Sequence, residues 1–148
     1  MSGYLAVLNG PNLNLLGQRE PEVYGTATLA DVQALCDRTA ERFGLRVRFE
    51  QSNHEGQLID WVHEMRTEAL GFVVNLGAFT HTSIALRDAL ITVGGPIIEV
   101  HISNVHAREA FRKTSYVCDL ATGVIVGCGI QGYQFAVEKL ADLVGAGS

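Results

Sequence analysis

Short β-rich runs alternate with longer helix-period runs along the whole chain, and this alternation limits the fold more than any other feature. Candidate strands are Tyr4 to Leu8, Leu45 to Glu50, Phe72 to Val74, Ile97 to His101 and Val124 to Val126. Candidate helices are Thr28 to Phe43, Gln57 to Ala69, Ser83 to Thr92 and, at the end, Gln134 to Val144. Strands that alternate with helices pair in parallel through right-handed crossovers, which predicts an α/β three-layer sandwich on a sheet of about five parallel strands. At 148 residues, with no linker, repeat or low-complexity stretch, the expectation is a single catalytic domain over 1–148.

In such a sheet, ligands bind beyond the carboxyl ends of the strands, near the point where strand order reverses. The polar and glycine-rich segments fall at those ends. Asn9-Gly10-Pro11-Asn12-Leu13-Asn14 follows the first strand, Asn75 to Ser83 follows the third, and Glu99 to Asn104 closes the fourth. The amino-terminal ends carry ordinary turn signals, such as Gly44-Leu45 and Gly94-Gly95-Pro96. One site on one edge is the expectation.

Composition removes several classes of function. Eleven basic against sixteen acidic residues give a net charge of −5, which argues against nucleic acid and against an anionic membrane surface as partners. No apolar run approaches the ~18 residues of a transmembrane helix, and Tyr4 to Leu8 lacks the basic flank of a secretory signal. Three cysteines (Cys36, Cys118, Cys128) without a C-x-x-C pair suit a reducing cytosol, so the expected location is cytoplasmic. No H-E-x-x-H motif occurs, so no metal is expected. The two lysines, Lys113 and Lys139, make poor Schiff-base candidates. What remains is acid–base work by a tyrosine and a histidine on an oxygen-rich small molecule.

Four constellations could carry that work. The segment Gly17 to Gly25 is long for a connection in a compact α/β domain; it reads either as a plain surface loop or as a lid bringing Arg19 and Tyr24 over the site. A phenol, of reference pKa ~10, becomes a useful base when a guanidinium stabilises its phenolate. Glu99 and His101 are two apart on a strand and share a face, where the carboxylate can fix the imidazole's tautomer; the next residues, Ile102 and Ser103, begin a turn whose N–H groups can cradle an anion. His81 and Asp88 are expected on one face of a helix starting near Thr80. Arg108 and Arg112, at i and i+4, read either as a solvated helix face or as forks for carboxylate or vicinal hydroxyls. Gly127-Cys128-Gly129-Ile130-Gln131-Gly132 matches a dinucleotide fingerprint, but too little chain follows to supply a ribose-binding acid, so close helix-to-sheet packing is the better reading. Asn9 and Asn75, where a phosphorelay receiver would carry acids, disfavour that class.

Taken together, these residues resemble the type II 3-dehydroquinate dehydratases. The matching stretches are Leu8 to Gly17, Arg19-Glu20-Pro21, Tyr24-Gly25, Glu55-Gly56, Thr80-His81-Thr82-Ser83, Ala85 to Leu90, Glu99 to Asn104, Arg108-Glu109 and Phe111-Arg112. The resemblance implies a flavodoxin-like fold and cofactor-free anti elimination of water from 3-dehydroquinate, through an enolate, to 3-dehydroshikimate. It implies Tyr24 as the base at C2, Arg19 as the group that lowers its pKa, and His101 as the acid for the departing C1 hydroxyl, oriented by Glu99. Asn12 would hold a water against the enolate oxygen. Substrate contacts would come from Asn75, His81, Arg112 and the backbone at Ile102 and Ser103, with Asp88 entering from a neighbouring subunit of a homododecamer built from trimers. Rating Arg112 above Arg108 also rests on this comparison. The chain departs from the pattern at Leu76, where the family carries proline and whose loss frees the backbone beside Asn75, at Phe79, where it carries tyrosine, and at Lys113, where histidine is common. Two other classes fit the same fold: a flavodoxin-like nucleotide- or flavin-binding module, and a non-catalytic assembly protein.

Overall fold

The computed structural model describes residues 3–146. Five parallel strands, β1 (Tyr4–Asn9), β2 (Arg46–Gln51), β3 (Phe72–Asn75), β4 (Ile97–His101) and β5 (Gly123–Val126), form one sheet in the order β2-β1-β3-β4-β5. The helices are α1 (Pro21–Tyr24), α2 (Leu29–Glu41), α3 (Glu55–Met65), α4 (Ile84–Ile91) and α5 (Gln131–Leu143). This is the expected α/β sandwich, with strand limits within a residue of the sequence reading. Helix ends differ more. A capping box between Thr28 and Asp31 starts α2 at Leu29, and α5 begins three residues earlier than its apolar periodicity suggested.

Alternation along β1 divides the core. Leu5 and Val7 face α2 and α5, packing with Val32, Cys36, Tyr133 and Val137; Ala6 and Leu8 face α3 and α4, packing with Leu58, Val62, Leu86 and Leu90. Covered on both faces, β3 is buried throughout and β1 from Leu5 onward, which is why both read as unbroken apolar runs. Among the described residues no helix is long and apolar enough to cross a membrane.

The order of strands reverses between β1 and β3, and there Asn9 and Asn75 stand opposite each other in register. The wholly buried Tyr133 of α5 joins them: its hydroxyl donates to Asn9 Oδ1 at 2.7 Å and accepts from Asn75 Nδ2 at 2.8 Å. Asn9 Nδ2 continues the chain to the Glu50 carbonyl at 3.0 Å. Phenylalanine at 133 would leave two buried polar atoms unpaired, each costing ~1–3 kcal/mol. Tyr133→Phe should therefore lower the unfolding free energy in urea by about 2–4 kcal/mol, and a loss below about 0.5 kcal/mol would mean that the network relaxes or fills with water.

Leu76 is buried among α3 and α4 side chains, and the backbone beside it is held by Gly10 N–H to the Asn75 carbonyl (2.8 Å) and Gly77 N–H to Asn75 Oδ1 (3.3 Å). Gly10 admits no side chain there, since a Cβ would lie 2.0 Å from the Leu76 carbonyl oxygen. In the glycine-rich turn before α5, a Cβ on Gly132 would press Ile125 at 3.3 Å and Val100 at 3.4 Å, so this glycine serves close helix-to-sheet packing.

Candidate active site

One cavity opens at the carboxyl edge beside the strand reversal. Asn12, Arg19, Tyr24, Asn75, His81, His101, Ile102, Ser103 and Arg112 all line it, and Arg108 joins them. Glu99 stands behind His101. Asp88 is exposed on α4 and does not line the cavity.

Two expectations about helical faces need correction. His81 and Asp88 do not share a helix: Ser83 caps α4 by accepting the Leu86 N–H at 2.9 Å, and His81 ends a separate 3-10 turn, Gly77–His81. Serine in an extended conformation wins the cap over Thr80, so the helix starts too late to include His81. Likewise Arg108 and Arg112 are not on one helix. The 3-10 turns Val105–Ala107 and Ala110–Lys113 are separated by Arg108, in extended backbone, and Glu109. Both side chains still reach the cavity.

The lid segment carries the short helix α1, with Tyr24 at its last turn. The guanidiniums of Arg19 and Arg108 both lie 5.3 Å from the centre of its ring. Only Arg108 reaches the oxygen, donating from Nη1 to Tyr24 Oη at 2.7 Å and to Ser103 Oγ at 3.3 Å. Arg19 also pairs with Glu20 at 3.0 Å. The residue that the sequence reading ranked second thus holds the phenol directly.

Opposite, the alternation of β4 points Glu99 and His101 to the same face. Both are buried, and His101 Nε2 lies 2.5 Å from Glu99 Oε2. A carboxylate only accepts, so Nε2 carries the proton and Nδ1 is left as the ring nitrogen that can serve the cavity. Ser115, not foreseen from the sequence, bonds Glu99 from behind at 3.1 Å to each oxygen.

His81 stacks on His101, with ring centres 6.2 Å apart. Its Nδ1 lies 2.6 Å from the Thr114 carbonyl and must donate to it, leaving Nε2 as an acceptor when the ring is neutral. Burial pushes the His81 imidazole below its ordinary 6.5, with His101 and Arg112 acting in the same sense against the pull of the Thr114 carbonyl. The ring should therefore titrate below pH 6.5 by NMR. The unfolded chain then binds the extra proton first, so stability should fall as pH drops through ~6.5 and level off below the folded midpoint. His81→Asn should flatten that slope; a His81 midpoint at or above 6.5 would contradict it.

The backbone N–H groups of Ile102 and Ser103 meet no acceptor among the described residues and flank the cavity. With three arginines around them, they form a site suited to a small carboxylate. Among the described residues no group of three or more His, Cys, Asp or Glu is placed to hold a metal ion.

A parallel α/β sheet with a phenol on one wall of its carboxyl-edge cavity and a carboxylate-backed imidazole on the other has the layout of an acid–base enzyme on a flavodoxin-like fold. Comparison with known proteins agrees with that class. The chain belongs to the class II dehydroquinase family, whose model, described as Dehydroquinase class II, matches residues 3–141. It is 59% identical over 145 residues to a 3-dehydroquinate dehydratase of Streptomyces coelicolor, covering 97% of this chain and 92% of that one. It is 59% identical over 143 residues to the enzyme of that name from Methylobacterium radiotolerans, covering 97% and 96%. A crystal structure of a type II dehydroquinase from Propionibacterium acnes superposes with a TM-score of 0.90 at 43% identity, covering 96% of this chain and 98% of that one.

Proposed function

We propose that this chain is a 3-dehydroquinate dehydratase that removes water from its substrate by anti elimination. The observation that carries the reading is the pairing, across one cavity, of Tyr24 under two guanidiniums with His101 backed by Glu99. Tyr24 Oη takes the proton at C2, with negative charge on its oxygen stabilised by the Arg108 hydrogen bond and the nearby Arg19. The electron pair moves into an enolate on the adjacent ketone, where Asn12 holds a water. The enolate then expels the C1 hydroxyl, which takes the Nδ1 proton of the His101 imidazolium and departs as water, leaving a neutral ring whose Nε2–H stays on Glu99. One C–H and one C–O bond break heterolytically and nothing is oxidised or reduced, so a base and an acid suffice without a cofactor.

The substrate carboxylate sits on the Ile102 and Ser103 N–H groups beside Asn75, and the ring hydroxyls reach His81 and Arg112. Keeping His81 neutral spares His101 a second positive charge in its stack. The chain works as a homo-oligomer, a dodecamer built from trimers, in which Asp88 completes a neighbour's site. This is supported by α4, where Ile84 and Ile91 are 57% and 56% exposed on either side of Asp88. A reducing cytosol suits its three cysteines, all free thiols.

The direct test adds 3-dehydroquinate to the purified protein and follows the absorbance of the conjugated enone product. Steady turnover is expected. No absorbance change, or a bound flavin in the protein's own visible spectrum, would reject the reading.

A further inference from the structure

We infer that Ser115 is a positioning residue for catalysis, which fixes Glu99 as a hydrogen-bond acceptor and through it holds the ring of His101 in register with the cavity. The inference rests on the acid role proposed for His101. It comes from counting lone pairs and protons. The Ser115 hydroxyl accepts the backbone N–H of Val117 at 3.2 Å and of Cys118 at 3.1 Å, so both of its lone pairs are taken. A hydroxyl has one proton. With no acceptor capacity left on its own oxygen, that proton goes to Glu99, whose two carboxylate oxygens both lie 3.1 Å away.

The direction of this bond propagates. Backbone N–H groups cannot reverse their role, so Ser115 always donates to Glu99, and Glu99 is held as an acceptor from that side. A proton on Glu99 would find no lone pair on Ser115 to receive it. From the other side Glu99 Oε2 takes the Nε2–H of His101 at 2.5 Å. The carboxylate is therefore pinned at two places, and the imidazole plane is set by a group that cannot swing. Glu99 is 2% exposed, so water is not at hand to replace a lost donor. Held by His101 alone, the carboxylate would be free to turn about its terminal bond and carry the ring with it, and misplacement of a proton donor shows in the chemical step rather than in binding.

The prediction separates this role from packing. Ser115→Ala should lower kcat about tenfold, the scale of one lost hydrogen bond to a charged group, while KM stays within about twofold. Ser115→Thr, which keeps the hydroxyl, should recover most of the loss. In a Glu99→Ala background, where Ser115 has nothing left to orient, adding Ser115→Ala should change kcat by less than about twofold. If Ser115→Ala does not fold, Ser115→Cys replaces it, its weak S–H donor giving a smaller loss confined to kcat.

A readout without substrate keeps the inference apart from the dehydratase reading. The proton between His101 Nε2 and Glu99 should resonate far downfield in the wild-type NMR spectrum, shift on Ser115→Ala and return on Ser115→Thr. Wild-type protein inert toward 3-dehydroquinate would sink the activity and leave this spectral result standing. An unshifted resonance in Ser115→Ala overturns the positioning role, as does an unchanged kcat, a loss confined to KM, or a full additional loss in the Glu99→Ala background.

Discussion

Tyr24→Phe is expected to lower kcat by at least ~10²-fold while the protein still binds substrate, because it removes one oxygen atom and leaves the ring within 5.3 Å of both guanidiniums. The hydroxyl is the one atom of that ring able to take a proton, and Arg108 donates to it at 2.7 Å. A neighbouring phenol cannot substitute. Tyr133, the other tyrosine near Asn75, is wholly buried, its hydroxyl is committed to Asn9 and Asn75, and burial pushes its ionisation far above the ordinary 10.0. Arg108→Met should approach the same loss, since it takes away the hydrogen bond that stabilises charge on the phenol oxygen. Arg19→Ala removes a cation from the ring face and should also be severe. Turnover is measured by enone absorbance and binding by calorimetry with a saturated substrate analogue. Near-normal turnover by Tyr24→Phe would remove Tyr24 as the base; lost binding would mean that the lid needs the hydroxyl to close.

How far the sequence reached depended on whether an interaction repeats along the chain. Strand ends came within a residue because the central strands are buried on both faces, and an unbroken run such as Leu5 to Leu8 has no other stable place. Glu99 and His101 were legible together because the period of two in a strand fixes their common face without knowledge of the rest of the fold. The helical pairs failed for a related reason. Spacing of seven or four implies a shared face only inside one continuous helix, and neither the Ser83 cap nor the break at Arg108 could be deduced from spacing. Thr80, Thr82 and Ser83 are all capping residue types, and only packing selects among them. Ser115 and Tyr133 left no local signal. Glu99 lies 16 residues from Ser115, and Asn75 and Asn9 lie 58 and 124 from Tyr133, and each contact exists only once the sheet has brought the segments together. Arg108 could be read from the sequence only as one of an arginine pair, on a solvated face or as a fork for an anion; its hydrogen bond to Tyr24, 84 residues away, exists only in the folded chain.

Asp88 supplies the second large effect. A single chain places it on the exposed face of α4, outside the cavity that holds His81, so its own site does not use it. Ile84 and Ile91 flank it at i−4 and i+3 and give that face an apolar rim around one charge, a composition suited to a subunit contact. If Asp88 completes the neighbour's site, Tyr24→Phe and Asp88→Ala chains, each impaired alone, must complement. Unfolded together at equal concentration and refolded, they form sites at random, and roughly a quarter combine a wild-type Tyr24 with a wild-type Asp88 from the next chain. Activity should therefore rise from near zero to about that fraction of the wild-type rate per site. The control refolds each variant alone before mixing, where subunits do not exchange and no recovery is expected. Activity of co-refolded samples no greater than the mean of the two variants, in assemblies shown by mass spectrometry to contain both chains, would place Asp88 in its own chain's site or outside the site altogether.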